Sequence, residues 1–141
     1  TSINASYSPL LVKNWGYGKL NLNYVNDATL ENVKSLILTT NSSNVKINNL
    51  MNNAVIDGSF GDLKILKLDN SFANLNVILQ NSNALIILPN TDYNLKYKGS
   101  NSSLKHPKKL SKKDNSYFST GNTNNTKRII FNTKYSIIEM Q

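Results

Sequence analysis

The chain has 141 residues and a formal net charge of +8, one domain's length and enough to bury a core without staples. Hydrophobic residues make up 39% and charged residues 17%, while Asn occurs 25 times and outnumbers Lys, Arg, Asp and Glu together. There is no cysteine, one histidine (His106) and only two glutamates (Glu31 and Glu139). Those counts exclude disulfide frameworks, thiolate nucleophiles, thiolate zinc and iron–sulfur sites, His-rich metal centres and paired-Glu acid/base chemistry.

In chain order, a pattern recurs: a branched apolar strand, a small polar turn with an aromatic or serine, then a second alternating strand. Trp15-Gly16-Tyr17-Gly18-Lys19-Leu20-Asn21-Leu22 is a first, irregular copy. Asp27-Ala28-Thr29-Leu30-Glu31-Asn32-Val33 has helix-like spacing with Asp27 as a cap, but reads better as a loop leading into a strand at Leu36. Clear copies run over residues 37–47, 55–65 and 77–87, with a fourth, one residue longer, over 97–104 and a last one over 131–138. Their anchors Leu38, Ile56, Leu79 and Tyr97 stand about 20 residues apart, the repeat of one β-solenoid coil, and Phe131 follows after a longer step that holds an insertion.

Alternation supports strands. Val45/Ile47, Leu63/Ile65 and Leu75/Val77/Leu79 are apolar at period two, and Leu38, Val45, Ile47, Ile56, Leu63, Ile65, Val77, Leu79, Leu85 and Ile87 form the expected core. Asn every few residues opposes helix interiors but suits tight left-handed corners. Stacked at equivalent corners, Asn side chains can also hydrogen-bond along the coil axis as ladders. The longest apolar run, Ala84-Leu85-Ile86-Ile87-Leu88, ends at Pro89, far short of the about 20 residues that cross a bilayer.

These patterns predict an all-β chain: a single domain over 1–141, built as a single-stranded parallel β-solenoid, β-helix-like, with a basic insertion at about 105–127. A hairpin between 116–120 and 127–131, turning at Gly121-Asn122-Thr123-Asn124-Asn125-Thr126, is expected to cap the C-terminal end, where an open stack exposes unpaired strand edges. The alternative fold is an antiparallel β-sandwich, which strands at this spacing also allow.

Charge is local. Residues 96–134 carry ten of the sixteen basic residues and only one acid, Asp114. Within them, Lys105, Lys108, Lys109, Lys112 and Lys113 form the candidate ligand-binding loop, with Lys96 and Lys98 as neighbours. A ligand there is anionic. The competing reading is a solvated loop whose lysines block strand-on-strand pairing. His106, amid lysines, reads as a solvated loop residue. Asp57 and Asp62 flank the turn Gly58-Ser59-Phe60-Gly61 and read as turn chemistry rather than a catalytic pair. The aromatics Trp15, Tyr17, Tyr24, Phe60, Phe72, Tyr93, Tyr97, Tyr117, Phe118, Phe131 and Tyr135 read as core or cap. No catalytic or metal-binding residue and no cofactor is expected.

The repeated unit, clearest in Ile56-Asp57-Gly58-Ser59-Phe60-Gly61-Asp62-Leu63-Lys64-Ile65 and in Phe131-Asn132-Thr133-Lys134-Tyr135-Ser136-Ile137-Ile138-Glu139-Met140, resembles the bacterial adhesin-like family of β-strand-repeat domains, whose function is largely unknown. The similarity runs from about Leu11 to Gln141. It implies a β-solenoid and export, and supplies no catalytic residues. The chain, which starts at Thr1, is expected to be one piece of a longer exported precursor, at the cell surface, outer-membrane-associated or periplasmic. The expected function is a non-enzymatic adhesin-like or structural module; the alternative is a polyanion- or glycan-binding module using the basic loop 105–113. Expected partners are a glycan, another surface protein or an anionic polymer, with no specific nucleic acid and no transmembrane segment.

Overall fold

The computed structural model describes residues 2–89, 93–107, 111–114, 117–119 and 127–141, with 111–114 and 117–119 described by backbone only. Among the described residues, twelve strands form one sheet system: β1 (Ser2–Ser6), β2 (Leu10–Trp15), β3 (Lys19–Asn23), β4 (Ala28–Asn41), β5 (Val45–Ile65), β6 (Asn74–Ile86), β7 (Asn94–Ser100), β8 (Ser103–Lys105), β9 (Ser111–Asp114), β10 (Tyr117–Ser119), β11 (Arg128–Lys134) and β12 (Ile137–Met140). Among the described residues there is no helix, so none long and apolar enough to cross a membrane. The ladders among the described residues are parallel except the two that β10 makes, with β7 and with β9. An antiparallel sandwich is therefore excluded.

Each repeat of chain forms one level: a strand, a corner residue at positive φ, and a second strand. The corners are Tyr7, Tyr24, Ser42, Phe60, Asn81, Asn101 and Tyr135. The level around Tyr7, built from β1 and β2, is one more repeat than the sequence pattern revealed. Its strand β1 lacks a strong apolar signature, with only Ile3 and Ala5 facing inward.

Parallel register puts like on like. Leu20, Leu38, Ile56, Val77, Phe131 and Tyr97 form one buried column on successive strands. Burying such branched and aromatic side chains drives the stack, each contributing about 1.5–3 kcal/mol. Val77, not Leu79, holds this column; Leu79 lies beside Gly58 and Thr133, where a small neighbour leaves room for it. Beyond the corner, Leu63, Ala84, Ile138 and Leu104 form a second column. Ala84 and Ile86 thus face inward, and the expected core residues Leu85 and Ile87 are half-buried instead.

The segment around Asp27 is neither helix nor loop. It opens β4, and its helix-like spacing comes from a bend: Leu30 and Val33 are buried three residues apart with Glu31 and Asn32 turned away. Ile47/Leu50 and Ile65/Leu68 repeat this bend. Asn side chains do bond between levels, but along the strands rather than at the corners where such ladders were expected. Asn21 Nδ2 donates to Asn4 Oδ1 at 2.7 Å, and Asn32 Nδ2 to Asn14 Oδ1 at 3.4 Å.

The levels do not stack in sequence order. The strand path is β1-β3-β4-β5-β6-β11-β7-β10-β9, and β12 lies between β6 and β8. The last repeat in sequence is therefore inserted between the two before it. This corrects the hairpin expected between 116–120 and 127–131. Both edges of β11 are taken, by β6 and β7, so it has no edge left for 117–119. The antiparallel strand on β7 is β10, and β9 pairs with β10. The expected turn at 121–126 lies outside the described residues.

Candidate polyanion-binding face

On β7 the sequence Asn-Leu-Lys-Tyr-Lys-Gly-Ser alternates, so Leu95, Tyr97 and Gly99 point inward and Lys96 and Lys98 point out. Gly99 is required by its neighbour: a Cβ there would stand 2.3 Å from the Tyr97 hydroxyl. That buried hydroxyl accepts a 3.4 Å hydrogen bond from Thr133 Oγ1 on β11. The pair fixes β7 against β11 and sets the register of the outward side chains.

On β11, Arg128 and Lys134 are exposed on the same face. Arg128 lies beside Asn94, Ile130 beside Lys96, Asn132 beside Lys98, and Lys134 beside Ser100. Four cations therefore follow one another in steps of two residues, Arg128 on β11, Lys96 and Lys98 on β7 and Lys134 on β11, about 6.6 Å each at the strand rise, along roughly 20 Å. The outward residues of neighbouring β6 are Asn74, Asn76, Ile78 and Gln80, with no acid. In register with Lys98, the acids are Asp57, three strands away on β5, and Asp114, two strands away on β9.

The lysines of the expected basic loop are placed differently. Lys105, on β8, lies 3.7 Å from Glu139 Oε1 on β12, a surface ion pair worth at most about 1 kcal/mol but enough to offset its charge locally. Lys108 and Lys109 lie outside the described residues. Lys112 and Lys113 are on β9, and their side chains lie outside the described set. Sequence reasoning flagged Lys96 and Lys98 only as neighbours and did not single out Arg128 and Lys134, because the two pairs are thirty or more residues apart. Parallel register alone brings them together.

Lys127 belongs to the scaffold. Its Nζ donates to the carbonyls of Asn70 and Phe72 and sits 5.5 Å above the Phe72 ring centre, tying the entry of β11 to the turn before β6. His106 is not a solvated loop residue. It is partly buried, its Nε2 is 2.7 Å from the Tyr93 hydroxyl, and the two rings meet edge to face. Burial of Tyr93 pushes its hydroxyl up to about 12, so it stays a proton donor far into alkaline solution.

Asp57 and Asp62 stand on either side of the Phe60 corner, both exposed, and the Asp62 N–H donates to Asn44 Oδ1 in a corner hydrogen bond. Asp62 lines an open groove with Asp27, Asn44, Lys46 and Lys64, where carboxylates and ammonium groups intermix. The aromatics divide by position. Trp15, Phe72, Tyr93, Tyr97 and Phe131 are core, whereas Tyr24, Phe60 and Tyr135 are exposed corner residues and Tyr17 is exposed as well.

No family model, curated protein or solved structure matches this chain.

Proposed function

We propose that the chain is a non-enzymatic module of an exported surface or periplasmic protein, a single-stranded β-solenoid of the adhesin-like kind, whose basic face binds a linear anionic polysaccharide. The observation that carries the reading is the row of Arg128, Lys96, Lys98 and Lys134 across β11 and β7. A row of cations on two adjoining parallel strands matches an extended polyanion, and holding the charges in place removes part of the ordering cost of binding. The stack supports the structural half of the proposal, since parallel levels give a stiff, elongated display surface. The antiparallel strands β10 and β9 cover the outer edge of β7 and act as the cap of that end.

The test compares two variants on a heparin column and with a single-stranded oligonucleotide. One replaces Lys96, Lys98, Arg128 and Lys134 with Gln; the other replaces Lys105, Lys108, Lys109, Lys112 and Lys113 with Ser. The face variant should elute at much lower salt. Its log affinity should also lose about three to four units of slope against log salt, each contacting cation accounting for roughly 0.7–0.9. The loop variant should keep most of its retention. Equal retention of wild type and face variant would sink the proposal, and preferential loss with the loop variant would return the site to 105–113. Tighter binding of the oligonucleotide than of heparin would change the ligand class.

A further inference from the structure

The inserted level has a consequence for assembly. β6 and β7 are consecutive in sequence, yet they share no ladder; each pairs with β11. β8 likewise pairs with β12, and β12 with β6. The C-terminal segment 128–140 therefore fills a slot whose two walls are an earlier part of the chain. Sequence neighbours normally stack on one another, so this order marks a segment that enters between levels rather than onto an end.

The slot is demanding. Its walls offer two parallel strand edges, and every backbone group along them needs a partner. Its interior needs apolar filling, which Ile129, Phe131, Ile138 and Met140 supply, all buried. An identical segment from a second copy meets each requirement in the same register. The connection allows it. Residues 120–127 join β10 to β11, and fully extended they reach about 26–29 Å. Within one chain the two strands are separated only by β7, about 10 Å for two strand spacings. A link of that reach can close within its own chain and can also cross to the slot of a copy alongside, so its length permits exchange without forcing it.

We infer that the slot between β6 and β7–β8 accepts the β11–β12 segment of a second copy of this chain as well as its own, giving a mutually exchanged dimer. Each row of cations in that dimer is built from two chains: Lys96 and Lys98 from one, Arg128 and Lys134 from the other. Within one chain the effective concentration of the segment is on the order of millimolar, so dilute refolding favours the closed monomer and concentrated refolding favours exchange.

The cysteine-free chain makes the test direct. Ile78 on β6 and Asn132 on β11 are exposed Cα partners. Full-length Ile78→Cys and full-length Asn132→Cys are unfolded, mixed, refolded together across a range of concentrations and treated with a short bis-maleimide. Exchange places the two thiols side by side on different chains, so a covalent heterodimer should form and its yield should rise with refolding concentration. A second pair, Asn83→Cys with Ile137→Cys, reads the β12 half of the slot and guards against a local effect at 132. The control mixes Asp57→Cys with Ile78→Cys, partners on β5 and β6 that exchange does not separate between chains. Monomer alone at every concentration, or heterodimer equally abundant in the control, would overturn the inference. Heparin retention plays no part in this readout, so exchange and polyanion binding stand or fall separately.

Discussion

Non-glycine residues hold φ between 50 and 59° at every corner, a conformation that costs roughly 1–2 kcal/mol for a residue with a Cβ. The residue after the corner offsets part of that cost. Ser43 Oγ donates to Asn41 O and accepts the Val25 N–H. Ser136 Oγ donates to Lys134 O and accepts the Ser82 N–H, and Ser102 Oγ accepts the Ser136 N–H in turn. Gly61 holds the equivalent position after Phe60, and there a Cβ would sit 2.0 Å from the Ser43 carbonyl oxygen. Backbone cannot give way as a side chain can. Gly61→Ala should therefore destabilise the chain by about 1–3 kcal/mol or more, read as a lower urea midpoint at unchanged slope. Tyr93 gives a pH-dependent prediction. Its hydroxyl is raised to about 12 by burial, against about 10 in an unfolded chain. The folded state holds that proton more tightly, so this stabilisation is complete below about pH 10. It is lost as the pH rises towards 12, a change of about 2–3 kcal/mol. Wild type should lose stability across that window relative to Tyr93→Phe; parallel pH profiles would refute the assignment.

Elements were legible where the alternation was clean. Val45, Ile47, Leu63 and Ile65 alternate with polar residues and face the core as read. Ala84-Leu85-Ile86-Ile87-Leu88 gave no such signal, because an all-apolar run carries no period. There the Asn81 corner and the pairing of Leu63 with Ala84 decide which residues turn inward. The bend between Leu30 and Val33 imitated a helix for a related reason: three-residue spacing arises at a strand corner as well as on a helix face. The cationic row was half legible. Lys96 and Lys98 announce an outward face by alternation, but their adjacency to Arg128 and Lys134 depends on which level receives the last repeat. Local pattern is silent on that choice, since the apolar positions of Leu75/Val77, Leu95/Tyr97 and Ile129/Phe131 suit the same columns.

At the scale of the whole molecule, stability in a stack is a sum over neighbouring levels, and levels open from the ends unless something ties them. At one end, β1 and β2 are outermost and their partly buried side chains pack on one side only. At the other, β7 and β8 reach the body through β11 and β12. The inserted segment therefore sets the opening free energy of everything beyond it. Phe131→Ala removes a fully buried ring from the middle of that connection and should cost about 3–5 kcal/mol. Its effect should be directional. Native-state amide exchange should speed up in β11 and β12 and, by a similar factor, in β7 and β8, although β8 makes its ladder to β12 rather than to β11. The amides in the middle of β4 and β5 should keep their protection under conditions where exchange proceeds by local opening. Faster exchange confined to β11 and its immediate neighbours would mean that the end level has an independent hold on the body. Uniform loss of protection from β3 to β12 would mean that the stack opens as a single unit.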